Sequence, residues 1–146
     1  DITSQKEAEN RLRISEQRYR ALIQGLPVGI IQSVSDERGL HVEFVNSEFV
    51  NLTGFSIEML AEMQNSDGIR LPMHEDDRVQ ADESWASWVL NDADVLLRRT
   101  YRLHVVKDTK PRLAPEYRWF DDYTTKVRLD SGETIIIQAL MDIDEK

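Results

Sequence analysis

Three histidines, two tryptophans and two clusters of acids are the residues of this 146-residue chain whose types and spacing reach toward chemistry. His41 and Glu43 stand two apart in the alternating stretch "HVEFV", which puts both on one face of a strand and offers two metal ligands. No third group converges on them in the sequence, so a solvated strand face is the stronger reading. His104 sits among Arg98, Tyr101 and Arg102, a set suited to an anion, although exposed basic residues on a strand account for it better. Trp85 and Trp88, three apart in a helical stretch, offer rings to a planar ligand; packing in the core or at an interface is the preferred explanation. Asp121-Asp122 and Glu75-Asp76-Asp77 suggest paired carboxylates. Neighbours on a strand point to opposite faces, however, and acids in a first helical turn are explained by the helix dipole. With no nucleophile–base pair and no Gly-rich phosphate loop, no active site is expected within this chain.

Composition narrows the field further. The absence of cysteine excludes disulfides, thiolate catalysis, cysteine-ligated zinc and cysteine-linked chromophores. A formal charge of −9, from 27 acids and 18 bases, argues against a nucleic-acid partner and against direct contact with an anionic membrane. No apolar run approaches a membrane span and no signal peptide is visible, so a soluble, cytoplasmic domain is expected. The chain opens on Asp1 rather than Met, which suggests a piece of a longer protein.

The elements that must position these residues follow from periodicity. Residues 4–24 predict a helix, with Ser4 to Glu7 as a capping box and Gly25 and Pro27 as its end. Ala8, Leu12, Ser15, Tyr19, Leu22 and Leu26 recur at heptad spacing, so Leu12, Tyr19, Leu22 and Leu26 form a candidate dimer seam. "VGIIQSV" and "HVEFV" predict a hairpin. Asn46 or Ser47 can cap a short helix closed by Gly54, and Ser56 can cap another. A longer helix follows Pro72, with Val79, Ala86, Val89 and Leu90 as its apolar stripe. Three strands complete the chain. The first alternates Tyr101, Leu103 and Val105 against Arg102 and His104. The second puts Tyr117, Trp119, Tyr123, Val127 and Leu129 on one face. The third is apolar on both faces and so should be central. The expected class is α+β: a five-stranded antiparallel sheet, short helices on one face, and an N-terminal amphipathic or coiled-coil helix.

This order and its wording resemble the PAS domain family with its C-terminal PAC motif. "SEQRYRALIQGLPVGI", "VEFVNSEFVNLTGFSIEML", "MHEDDR", "TYRLHV" and "YRWFDDYTTKVRLDSGETIIIQALMDID" carry the likeness, which covers residues 16–144. The sequence departs from the family pattern in three places. Glu75 stands where Pro is usual, "VVKDTKPRLAPE" is longer than the usual tight turn, and Asp144 replaces the Thr of the family's Asp-Ile-Thr exit phrase. The chain also begins "DITSQK", which resembles the exit phrase of a preceding domain. Residues 1–24 are therefore expected to be a linker or signalling helix and 25–146 the sensory domain, with Asp142, Ile143 and Asp144 as the signal-exit motif.

The resemblance implies a sensory module of a multidomain signalling protein, foremost a sensor histidine kinase. Such a module would sense a small ligand or relay a conformational signal between domains. The alternative is a ligandless dimerisation and relay module in a diguanylate cyclase of the GGDEF type. It implies a homodimer, neighbouring PAS and output domains in the same chain, and no catalysis by this piece. The family's light-sensing members hold flavin through a Cys, which this chain lacks. Its haem members place an axial His on the long helix, and His74 precedes that helix, so haem is not expected. The cofactor, if any, stays open.

Overall fold

The computed structural model describes residues 1–64, 68–91, 96–106 and 116–143. In chain order the elements are α1 (Ile2–Gly25), β1 (Gly29–Asp36), β2 (Gly39–Val45), α2 (Ser47–Thr53), α3 (Ile57–Met63), α4 (Glu75–Leu90), β3 (Leu97–His104), β4 (Tyr117–Arg128) and β5 (Thr134–Asp142). The strands make one 5-stranded sheet in the order β2-β1-β5-β4-β3, every pair antiparallel. The α+β class is as expected, and β5, apolar on both faces, is the central strand. The long connection between β3 and β4 and the exit residue Asp144 fall largely or wholly outside the described residues.

The core lies on one face of the sheet. Ile31, Tyr101, Leu103, Phe120 and Leu140 point inward to meet Phe49, Phe55, Leu60 and Leu71 from the helical side. Each such side chain contributes roughly 1.5–3 kcal/mol when taken from water. Both sheet edges are partly covered. The backbone amides of His74 and His104 donate to Arg102 O and Pro72 O at 2.9 Å along β3, and Gln64 Oε1 accepts from Val42 N on β2 at 3.0 Å. An exposed strand edge invites pairing with other chains, and these contacts occupy part of each edge.

Two local expectations are corrected, and the shared face on β4 is placed. Helix α1 starts at Ile2, capped by Asp1, whose carboxylate accepts from Thr3 N at 3.2 Å; the Ser4–Glu7 box is already inside the helix. An acid one turn upstream caps equally well, so the helix begins earlier. On β4 the aromatic face is the outer one: Tyr117, Trp119, Val127 and Leu129 stay exposed, while Phe120, Asp122 and Thr124 are fully buried. The stripe expected on α4 is not core either. Val79 is 66% exposed and Leu90 84%, and the buried positions are Ala81 and Trp88, two turns apart.

Asn46 holds the first half together. Its Oδ1 accepts from Phe49 N (3.0 Å), capping α2, and from Ile30 N (2.8 Å) at the start of β1. Its Nδ2 donates to Ile23 O (2.9 Å) in α1 and to Val28 O (2.8 Å). Both donors and both acceptor sites of the amide are therefore used, in a residue with no exposed surface. At the other end of α2, Gly54 ends the helix with φ +80°, and a Cβ there would sit 1.7 Å from Val106 O, so only glycine fits. Removing the amide with Asn46→Ala loses the cap and orphans buried backbone groups, and urea unfolding should show a loss of about 3–5 kcal/mol. Asn46→Ser, which keeps a capping oxygen, should fall between that variant and the parent. A loss below about 1 kcal/mol for the alanine variant would show that Asn46 is not the joint described.

Candidate functional site

The site is built on the buried face of the sheet, where alternation turns Arg99 and Tyr101 of β3 and Asp122 and Thr124 of β4 inward beside Gln138 of β5. Asp122 is wholly buried and accepts from all four of the others. Arg99 Nη2 reaches Oδ2 at 2.9 Å, Thr124 Oγ1 reaches Oδ1 at 2.6 Å, Gln138 Nε2 reaches Oδ2 at 3.2 Å, and the Tyr101 hydroxyl donates to Oδ2. Burial, reinforced by the charge of Asp122, pushes the Tyr101 hydroxyl well above the ordinary tyrosine range, so it remains a neutral donor. The Arg99 guanidinium also lies 5.1 Å from the Trp85 ring and 5.3 Å from Tyr101, and its Nη1 reaches Ala81 O of α4 at 3.4 Å. Its Nε is buried with no acceptor among the described residues.

Helix α4 is pinned to the sheet at both ends. Asp77 in its first turn takes a two-point clasp from Arg102 of β3, at 3.0 Å from Nε and 3.1 Å from Nη2. The side-chain hydrogen bond from Arg102 holds the Asp77 carboxyl below the usual carboxylate range against the opposing effect of burial. At the far end Lys126 Nζ of β4 donates to Trp88 O (2.9 Å) and Asn91 O (2.6 Å), a cation on the negative end of the helix dipole. The same ammonium sits 4.6 Å over the Trp88 ring.

Between α4 and the sheet this leaves a cavity of about 550 Å³. Ser35, Arg99, Ile136 and Gln138 belong to its sheet side, and Trp85, Ala86, Val89 and Leu90 to its α4 side. Arg78 and Asp82 of α4, Leu40 of β2, and Gly68, Ile69, Arg70 and Met73 contribute the remainder. A volume of this size suits a small organic molecule.

The residues singled out from sequence are distributed as follows. Trp88 is core, packed with Leu40 and Ile136, whereas Trp85 lines the cavity. Tyr101 faces inward while Arg98 pairs with Asp121 at 3.2 Å, Arg102 is held by Asp77, and His104 lies against Tyr117; the anion set is dispersed. Asp121 lies below the usual carboxylate range because Thr100, then Arg98, donate to it. His41 is 3.8 Å from Asp36 and Glu43 accepts from Gln32 at 3.2 Å, so each has its own neighbour. His74 is the N-cap of α4, accepting from Asp76 N at 3.1 Å. In the candidate seam Leu12 and Leu22 are 62% and 63% exposed, Tyr19 donates to Gln32 at 3.3 Å, and Leu26 is half-buried. Asp142 of the expected exit motif accepts from Arg118 at 2.8 Å, and Ile143 N donates to Trp119 O at 3.0 Å. The Asp122 cluster escaped the sequence reading. Its signal was there: an acid on one strand and Arg-x-Tyr on the next, each at inward parity.

A family model described as PAS domain matches residues 17–91. No curated protein matches the chain. Among solved structures, the chain is similar to the PAS domain of a protein from Colwellia psychrerythraea, at 16% identity and TM-score 0.61, covering 91% of this chain and 99% of that one. It is similar to a sensory box histidine kinase/response regulator from Burkholderia thailandensis E264, at 14% identity and TM-score 0.54, covering 87% and 85%. It also resembles an RNA-binding light-oxygen-voltage receptor, at 15% identity and TM-score 0.60; 88% of this chain is covered, but the match spans only 33% of that receptor. At these identities the likeness is one of fold. No helix among the described residues is long and apolar enough to cross a membrane.

Two outcomes follow from the ion pairs. Asp122→Asn leaves the Arg99 charge buried without its counter-ion and should cost about 3–5 kcal/mol in chemical denaturation. The paired replacement Arg99→Met/Asp122→Leu should restore at least half of that loss, and no recovery would show that the cluster does more than neutralise charge. Because its carboxyl is lowered in the fold, Asp77 stabilises the protein above about pH 4, and that contribution fades as pH falls through the lowered value. Asp77→Asn should therefore be less stable at pH 7 and show a flatter decline between about pH 5 and 2, as read from thermal melts.

Proposed function

The chain belongs to the PAS domain family, and on that premise we propose that it is the sensory module of a multidomain signalling protein, responding to a small ligand held between α4 and the sheet. The observation that carries this reading is that one strand serves both ends of the process. Ile136 and Gln138 of β5 line the cavity, and the same strand ends at Asp142, followed by Ile143, the expected exit. A ligand that binds two arrangements of β5 with different affinity shifts their populations, and one that binds both equally shifts nothing.

A sensor histidine kinase is the favoured parent, supported by the fold shared with the Burkholderia sensory box protein. In that setting the module sits in the cytoplasm beside neighbouring PAS and output domains, and it does no catalysis itself. A flavin held through cysteine is excluded by composition.

A second role, homodimerisation through α1, is favoured by the exposed Leu12 and Leu22 on a helix that, among the described residues, is hydrogen-bonded to the domain near its C-terminal end. It is compatible with ligand sensing, since a paired α1 would receive or pass on the same signal.

A thermal-shift screen of small metabolites tests the first reading. A true ligand at a hundredfold excess over Kd should raise Tm by about 5 °C or more. Ala86→Trp, which fills the cavity from α4, should abolish that shift. No stabilising compound, or a shift unaffected by Ala86→Trp, would count against sensing at this cavity. Sedimentation of Leu12→Lys/Leu22→Lys reads the dimer separately: the parent should sediment as a dimer and the variant as a monomer.

A further inference from the structure

We propose that the cavity takes a small organic anion, a carboxylate on an apolar body, and that Arg70 and Arg78 meet its charge. This rests on the reading of the cavity as a ligand site and names the class of ligand.

The cavity is lined by three arginines and one carboxylate, Asp82. The charge of Arg99 is already met by Asp122. Among the described residues neither Arg70 nor Arg78 has a carboxylate partner. Arg78 spends one N–H on Leu71 O, at 2.6 Å, and keeps its other donors. Asp82 likewise has no cation partner among the described residues. Two arginines against one aspartate leave an excess of positive charge at this one place, in a chain whose formal charge is −9. The floor adds to the shortage of acceptors, because Arg99 Nε is buried without one.

Guanidinium groups match a carboxylate geometrically, and the pairing strengthens where water is partly excluded. The rest of the lining sets the body of the ligand. Leu40, Ile69, Met73, Val89 and Leu90 offer an apolar surface that an inorganic anion would leave unfilled. A neutral apolar molecule would fill that surface but leave the arginines without an acceptor. An apolar monoanion satisfies both.

The test is an amide-detected NMR titration of the whole chain with sodium octanoate, octanamide and sodium sulfate. Octanoate should shift the Gly68, Ile69 and Gln138 amides saturably, and octanamide should bind at least about tenfold more weakly. Arg70→Gln/Arg78→Gln should weaken octanoate by a similar factor and leave octanamide unchanged. Arg78→Lys, which keeps the charge, is carried alongside and should retain most of the affinity, which separates loss of charge from loss of the Leu71 contact. Equal binding of octanoate and octanamide, or octanoate binding indifferent to the arginines, overturns the anion assignment while leaving the cavity a ligand site. Sulfate binding as tightly as octanoate overturns the apolar body. If no probe moves these amides at millimolar concentration, the proposal falls, and the metabolite screen with Ala86→Trp then decides separately whether the cavity senses anything.

Discussion

A carboxylate with no access to water sets the terms for this fold. Asp122 lies on the inner face of β4, where an isolated charge would be too costly to keep. It is tolerated because four donors from three adjacent strands converge on it. That convergence works in one register only. A slip of β4 by a single residue would turn Phe120, Asp122 and Thr124 outward and Trp119, Asp121 and Tyr123 inward, so a carboxylate would still face Arg99 but without the Thr124 hydroxyl and without Phe120 in the core. The cluster therefore acts as a registry mark for β3, β4 and β5. Apolar residues at those positions could pack as densely, but they would distinguish the registers less sharply.

The same cluster reaches beyond the sheet. Arg99 carries the network to α4, stacking under Trp85 and touching the backbone at Ala81. With Asp77 fixed at one end and Lys126 at the other, α4 is held across the sheet rather than collapsed onto it. Its small inward residue, Ala81, lets it approach at one point, and the larger Trp85 and Trp88 hold it off further along. The cavity is what remains between those contacts. Its polar side thus comes from the interaction that fixes the strand register, so a change in the cavity bears directly on the sheet.

Much of this was legible in the sequence, and the failures share one physical origin. Helix caps at Asn46 and Ser56 could be read because capping is local chemistry. The central place of β5 could be read because its apolar residues occupy both faces. The inner face of β4 could not be read from hydrophobicity. Its outer face, with Trp119, Tyr123 and Val127, is the more apolar, and its buried face carries Asp122 and Thr124. Burial there follows from hydrogen bonds made with other strands, and the pattern of a single strand does not contain its partners. The stripe on α4 misled for the complementary reason: Val89 and Leu90 border a cavity instead of a core. The joint made by Asn46 was half visible, since its capping role is local and its hold on Ile23 and Val28 is not.

That joint has a mechanical consequence. Helix α1 has 24 residues, which at 1.5 Å per residue is about 36 Å of nearly incompressible rod. Among the described residues its hydrogen bonds to the rest of the domain come from its last two turns, through Tyr19, Ile23 and Gln24. A pivot so close to one end makes the rest a long arm. By simple geometry a tilt of about 10° at Asn46 sweeps the far end through roughly 6 Å, about one helical pitch. Sub-ångström adjustments where Asn46 grips β1 are thereby magnified at a distance. The gearing comes from where the helix is held, and it needs no further contact along its length.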